Sequence, residues 1–179
     1  MSKFAVFLRG VNVGGVKVLM KDLKQLLQEA GFTEVKTLLA SGNVVLESSE
    51  SDPQLIQARC DELLSKHYQR SIPTLVFDAQ QIKELAGPFA LPIPEPVKEH
   101  HGYLTLCQST TDAKELGEAI DALESSQDFL ILGRALLWVA AKGTSTTDPL
   151  AKLIQTQAKQ RTLTTRNHNT LVKIAKIIG

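Results

Sequence analysis

Residues 87–101, GPFALPIPEPVKEHH, hold four prolines. A proline lacks the backbone N–H and fixes φ, so such a density excludes a helix interior or a central strand. The segment reads as a linker, and it divides the 179 residues into two stretches. Each stretch must then build its own core or contribute half of a joint one.

Both stretches show the same alternation of periods. KFAVFLR, residues 3–9, is a buried strand, and Leu19, Leu23, Leu26, Leu27 and Ala30 then recur at helical spacing before a stop at Gly31. TEVKTLLA (33–40) and VVLES (44–48) read as strands joined by a two-residue turn at Gly42-Asn43. Asp52-Pro53 opens a second helix, with Asp as N-cap and Pro at the first helical position. Ile56, Cys60, Leu63, Leu64 and His67 give that helix one face, and SIPTLVF (71–77) follows as a strand. A short helix over 79–86 precedes the Pro-rich segment.

Beyond it, GYLTLC is a strand and 113–123 a helix. DFLILGRALLWVAA is a hairpin turning at Gly133-Arg134. Asp148-Pro149 opens a helix to about Gln160, RTLTT is a strand, and RNHNTLVKIAKII closes as an added helix. The expected class is α+β: two tandem ferredoxin-like βαββαβ halves with an extra C-terminal helix. The expected division is 1–78, then a helix and linker over 79–101, then 102–179.

Composition excludes several classes. Apolar residues make up 43% and charged residues 22%, as in an ordinary globular domain. The apolar runs are strand-sized, which argues against a membrane span, and residues 1–20 lack the order of a signal peptide. Cys60 and Cys107 stand far apart in apolar-periodic segments, as buried free thiols in a reducing cytoplasm would. Net charge is +1, but residues 79–133 carry three basic and nine acidic side chains, while residues 134–179 carry eight and one. The basic block (Arg134, Lys142, Lys152, Lys159, Arg161, Arg166, Lys173, Lys176) can form a solvated face or an anion-facing surface.

RGVNVGGVKV, residues 9–18, raises the question of a phosphate loop. Gly10 and Gly15 have Walker spacing, but Val16 follows where the motif needs Lys, and Val18 has no hydroxyl for magnesium. The dinucleotide pattern G-x-G-x-x-G is absent too. A glycine-rich turn into a helix still offers backbone N–H groups to an anion, or it merely permits a tight turn. In a βαββαβ unit this loop, Ser41–Asn43 and Gln69–Ser71 fall on one edge. That brings Arg9, Asn12, Ser41, Asn43 and Arg70 toward a common surface. TLTTRNHNT, 162–170, is the last polar cluster; Thr165 or Asn167 can cap the final helix, and Arg166 beside a helix start can cradle an oxyanion.

FLRGVNVGG, SGNVV and TTRNHNT together resemble the bacterial domain-of-unknown-function family sixteen ninety-seven, whose members carry LRGINVGG, SGNVVF and TTRNWNT. Lys17 and Met20 fit the Lys and Met that precede its first helix. The resemblance implies a bacterial, cytoplasmic protein of ferredoxin-like halves, and no established activity or cofactor. It carries Arg9, Asn12, Gly14, Gly15, Ser41, Gly42, Asn43, Thr165, Arg166 and Asn167 as motif positions. His168 stands where the family has Trp, and Leu46 then Glu47 where it favours Phe.

Other chemistries find little support. Adjacent His100 and His101 with Glu99 lack the partners that complete a metal set, so no metal is expected. Ser41 has no base supplied by a motif, although His168 would be one if the chain ends met. RNA-recognition sheets stack bases on aromatics of two central strands. Phe4 and Phe7 occur in the first strand, but VVLES has none, leaving only backbone contact by the basic block. The expected ligand is an anionic small molecule, phosphorylated or carboxylated, or a nucleic-acid backbone. It would be held by Arg9, Asn12, Gly14, Gly15, Lys17, Ser41, Asn43, Thr165, Arg166 and Asn167. An enzyme using the same pocket, and a regulatory protein pairing through sheet edges, are the alternatives. RGVNVGG and TLTTRNHNT contain no carboxylate, which favours Arg9 and Arg166 gripping an anion over each tying the halves through an ion pair.

Overall fold

A computed structural model describes residues 1–12, 17–124 and 127–179. They form a mixed α+β chain with two four-stranded antiparallel sheets and six α-helices among the described residues. The contacts group into two compact units, Met1–Glu84 with Lys173–Gly179, and Leu85–Val172.

The first unit runs β1 (Ser2–Leu8), α1 (Met20–Glu29), β2 (Thr33–Leu38), β3 (Asn43–Ser48), α2 (Pro53–Tyr68), β4 (Thr74–Asp78) and α3 (Ala79–Leu85, whose last residue counts with the second unit). The sheet order is β2-β3-β1-β4. Central β1 is buried on both faces from Phe4 to Leu8. Phe4, Val6 and Leu8 meet Leu23 and Leu27 of α1 and Ile56, Cys60 and Leu64 of α2 in one core. The period-two and period-3.6 patterns thus face each other, as burial of a sheet face under helices requires. Asp52 caps α2, its carboxylate accepting the Gln54 N–H at 2.8 Å, with Pro53 in the first turn.

The second unit runs β5 (His100–Cys107), α4 (Thr110–Asp121), β6 (Leu130–Leu132), β7 (Ala135–Ala141), α5 (Pro149–Gln157), β8 (Leu163–Asn167) and α6 (His168–Ile178). Its sheet order is β6-β7-β5-β8. Trp138, Leu136 and Ala140 of β7 face Leu116 and Ile120 of α4 and Leu150 and Ile154 of α5. Asp148 repeats the cap on α5, accepting from the Leu150 N–H at 2.9 Å. Residues 173–178 of α6 count with the first unit.

Several boundaries differ from the sequence reading. The first hairpin has a four-residue loop, 39–42, with Leu39 and Gly42 at positive φ, and Asn43 belongs to β3. The expected two-residue turn fails because the Asn43 amide is needed inside, where it closes the loop. α4 starts three residues early because the Ser109 hydroxyl accepts the Asp112 N–H at 3.1 Å, a cap that the apolar periodicity does not show. β8 extends through Arg166 and Asn167, which pair with Leu104 and Tyr103, so α6 begins at His168 rather than at 166. His67 is exposed: the 56-60-64 stripe continues to half-buried Tyr68. The Pro-rich segment ends in a 3-10 turn, Val97–Glu99, and β5 starts at His100.

Candidate functional site

Two clusters hold the residues expected to act. In the first unit the loops after β1 and β2 and the one before β4 meet at one edge. The Leu8 N–H donates to the Gly42 carbonyl at 2.8 Å, and the Arg9 N–H to that of Pro73 at 2.9 Å. Asn12, at φ 57°, is the tie: its Nδ2 donates to the carbonyls of Ala40 and of Val18, and its Oδ1 accepts the Val18 N–H at 2.9 Å. Asn43 is fully buried and donates through Nδ2 to the Leu38 carbonyl at 2.9 Å and to Ser41 Oγ at 3.0 Å. Both motif asparagines therefore satisfy backbone groups of the loops that they shape. Gly42 lies under the first loop, where an added Cβ would meet Leu8 Cβ and Val11 Cγ2 at 2.8 Å. Arg9 is half-buried, while Lys17, Ser41 and Arg70 are exposed. Gly14 and Gly15 lie outside the described residues.

In the second unit the C-terminal motif is a strand end. Thr165 faces the helices, and its hydroxyl bonds Thr105 Oγ1 at 2.9 Å; Trp138 Nε1 donates to the same Thr105 oxygen at 3.1 Å. Thr165 thus belongs to a polar thread through the core. Arg166, on the opposite sheet face, is only 8% exposed. Its guanidinium donates to Thr164 Oγ1 at 2.5 Å and to the Thr165 carbonyl at 3.1 Å. Burial pushes its pKa down to about 10, which leaves it cationic at neutral pH. Asn167 caps α6, its Oδ1 accepting the Asn169 N–H at 2.9 Å.

β8 ends opposite Tyr103, so the first residues of β5, His100–Gly102, have β7 on one side and no β8 partner on the other. The start of α6 and the Pro-rich segment flank this overhang and leave a notch of about 260 Å³. His100, His101 and Gly102 line it from β5, Asn167, His168 and Asn169 from the turn into α6, and Lys142, whose charge His101 feels, from just past β7. Phe89, Ile93 and Val97 line it from the Pro-rich segment. The lining includes no carboxylate. Burial, and then the nearby Lys142 charge, hold His101 below the usual histidine range, so its ring is neutral at neutral pH.

The Pro-rich segment is held at both ends. His168 Nε2 lies 2.9 Å from the Gly87 carbonyl, and its ring is 5.2 Å from that of Phe89. At the far end, His100 Nδ1 is 3.1 Å from the Pro96 carbonyl, and the Lys142 N–H donates to the Glu99 carbonyl at 2.8 Å. His168 thus sets its ring against this segment. Gly102 lies beneath Phe89, whose ring would be 2.7 Å from an added Cβ. Gly102→Ala should displace that ring and destabilise the chain by about 1–3 kcal/mol in urea unfolding; an unchanged midpoint would show that the contact is loose.

Sequence reasoning named Asn167 as a ligand residue and His168 as a conditional base, and did not place the other lining residues together. Lys142 stood only as part of the basic block, and His100 and His101 only as a rejected metal pair. Their common position depends on β5 overrunning β8, a tertiary fact. Among the described residues no group of His, Cys, Asp and Glu has the makings of a metal site, and no helix is long and apolar enough to cross a membrane.

Comparison with known proteins bears on the fold and the family. The conserved bacterial protein SP0830 from Streptococcus pneumoniae has a solved structure that superposes with a TM-score of 0.78 at 20% identity, covering 99% of each chain. At that identity the likeness shows the fold alone. No curated protein matches. The family model for a protein of unknown function, DUF1697, matches residues 1–138, which hold the glycine loop, the SGN hairpin and β5 but stop short of the TTRN strand. With most of its length inside that match, the chain belongs to the DUF1697 family.

Proposed function

We propose that this protein binds a small anion, phosphorylated or carboxylated, in the notch of the second unit. The observation that carries this reading is the lining: Lys142, His100, His101, Asn167 and Asn169 with no carboxylate among them. A cationic head, imidazoles and amides can all donate to an oxyanion, the charged donor most strongly. A notch of this size favours a small ligand over a nucleic-acid backbone, which needs an extended positive track. In this reading Asn167 is the motif residue at the site, Thr165 and Arg166 shape the strand that presents it, and Asn12, Ser41 and Asn43 shape the loop edge of the first unit. Arg9 and Lys17 are that edge's cations, and with Gly14 and Gly15 they remain candidates for a separate anion contact. The strand orders support reading both units as ferredoxin-like. Two buried free thiols, each pushed up to about 12 by burial, support a reducing, cytoplasmic setting.

Calorimetric titration with sulfate, whose charge is constant across the histidine range, tests the reading. Lys142→Ala should weaken binding about tenfold or more, the scale of one charged hydrogen bond. His101 is neutral in the free protein, and a bound anion favours its protonated form. Binding therefore takes up a proton, and affinity should rise as pH falls through the histidine range. His101→Gln should flatten that slope. An affinity unchanged in Lys142→Ala would remove the notch as the site.

A further inference from the structure

The lining of the notch is of two kinds. Lys142 and Asn169 are polar and exposed, and Phe89, Ile93 and Val97, all from the Pro-rich segment, are apolar. Val97 is 48% exposed, an apolar surface left open to water. The apolar lining is also pre-set. Pro88, Pro92, Pro94 and Pro96 fix φ along it, and the contacts of Gly87, Phe89, Pro96 and Glu99 pin both of its ends. A segment fixed before binding loses little freedom when a ligand arrives. The volume of about 260 Å³ suits a small molecule rather than a polymer.

We propose that the notch takes a small organic acid with a compact apolar body, its anionic group at Lys142, His101 and Asn169 and its body against Phe89, Ile93 and Val97. This rests on the anion-binding reading above and adds the shape and polarity of the ligand. A bare inorganic anion satisfies the polar lining and leaves the apolar lining wet. A neutral apolar molecule covers the apolar lining and leaves Lys142 without a counter-charge. An aryl or branched-chain acid meets both, whether its head is a carboxylate or a phosphate monoester.

Calorimetry on the full chain with four probes separates these cases: inorganic phosphate, phenyl phosphate, phenylacetate and benzyl alcohol. At least one of the two aromatic acids should bind about ten- to a hundredfold tighter than inorganic phosphate, the gain expected from burying one ring. Which of them does so identifies the head group. Benzyl alcohol should give no measurable binding. Val97→Ser, at an exposed position, should bring the better acid toward the affinity of inorganic phosphate. If inorganic phosphate binds as tightly as both acids, the ligand has no apolar body and the inference falls while the anion reading stands. If benzyl alcohol binds as well as the acids, or Val97→Ser leaves the preference intact, the inference is equally overturned. If none of the probes binds, the anion reading fails and this one with it.

Discussion

Trp138→Ala should destabilise the chain by about 3–5 kcal/mol, the usual cost of removing a large aromatic from a packed core. The indole is 1% exposed and stacks on Tyr103 with centroids 5.0 Å apart. Its Nε1 donates to Thr105, which in turn bonds Thr165, so truncation opens a cavity and breaks a buried polar thread at once. Trp138→Phe keeps a ring against Tyr103 and loses only the donor, so it should cost less than half as much. Urea unfolding followed by far-ultraviolet circular dichroism measures both, since Trp138 is the chain's single tryptophan and fluorescence would vanish with it. A loss under about 1 kcal/mol for the alanine variant would mean that the ring is not a core anchor.

Gly42→Ala should cost roughly 2–5 kcal/mol, from two sources that a control can separate. At φ +77° an L-residue is strained by about 1–2 kcal/mol. The new methyl would also lie 2.8 Å from Leu8 Cβ and Val11 Cγ2, an overpacking worth about 1–3 kcal/mol. Gly133 has φ +55°, and a methyl added there would meet nothing within 4 Å, so Gly133→Ala should show the strain alone. Equal losses at the two sites in urea titrations would mean that the β1 loop does not press on the hairpin.

The alternation of apolar periods made both sheets and most helices legible, and Asp52-Pro53 and Asp148-Pro149 marked two helix starts because a short acidic side chain and a missing N–H suit those positions alone. Boundaries set by side chains acting at a distance were not legible. Asn43 reads as a turn residue until its amide is seen to close the loop from within the strand, and Ser109 reads as loop until its hydroxyl meets Asp112. Arg166 and Asn167 have no strong strand preference; pairing with Leu104 and Tyr103 decides for them. The glycine loop and SGN drew the eye as ligand-binding polar residues, yet Asn12 and Asn43 direct their amides to the backbone of their own loops. The notch left no local pattern, because it exists only where one strand outruns its neighbour.

The first compact unit is discontinuous: residues 173–179 join it after the whole of the second has passed, and Lys3 Nζ donates to the Ile178 carbonyl at 2.9 Å. A growing chain leaves the ribosome from its N-terminus, so β1 waits until residue 178 has emerged for this contact. The second unit, in contrast, draws on an unbroken stretch and has all its parts once residue 172 has emerged. Vectorial synthesis therefore favours a nascent chain in which the later-made half can complete itself before the earlier-made one.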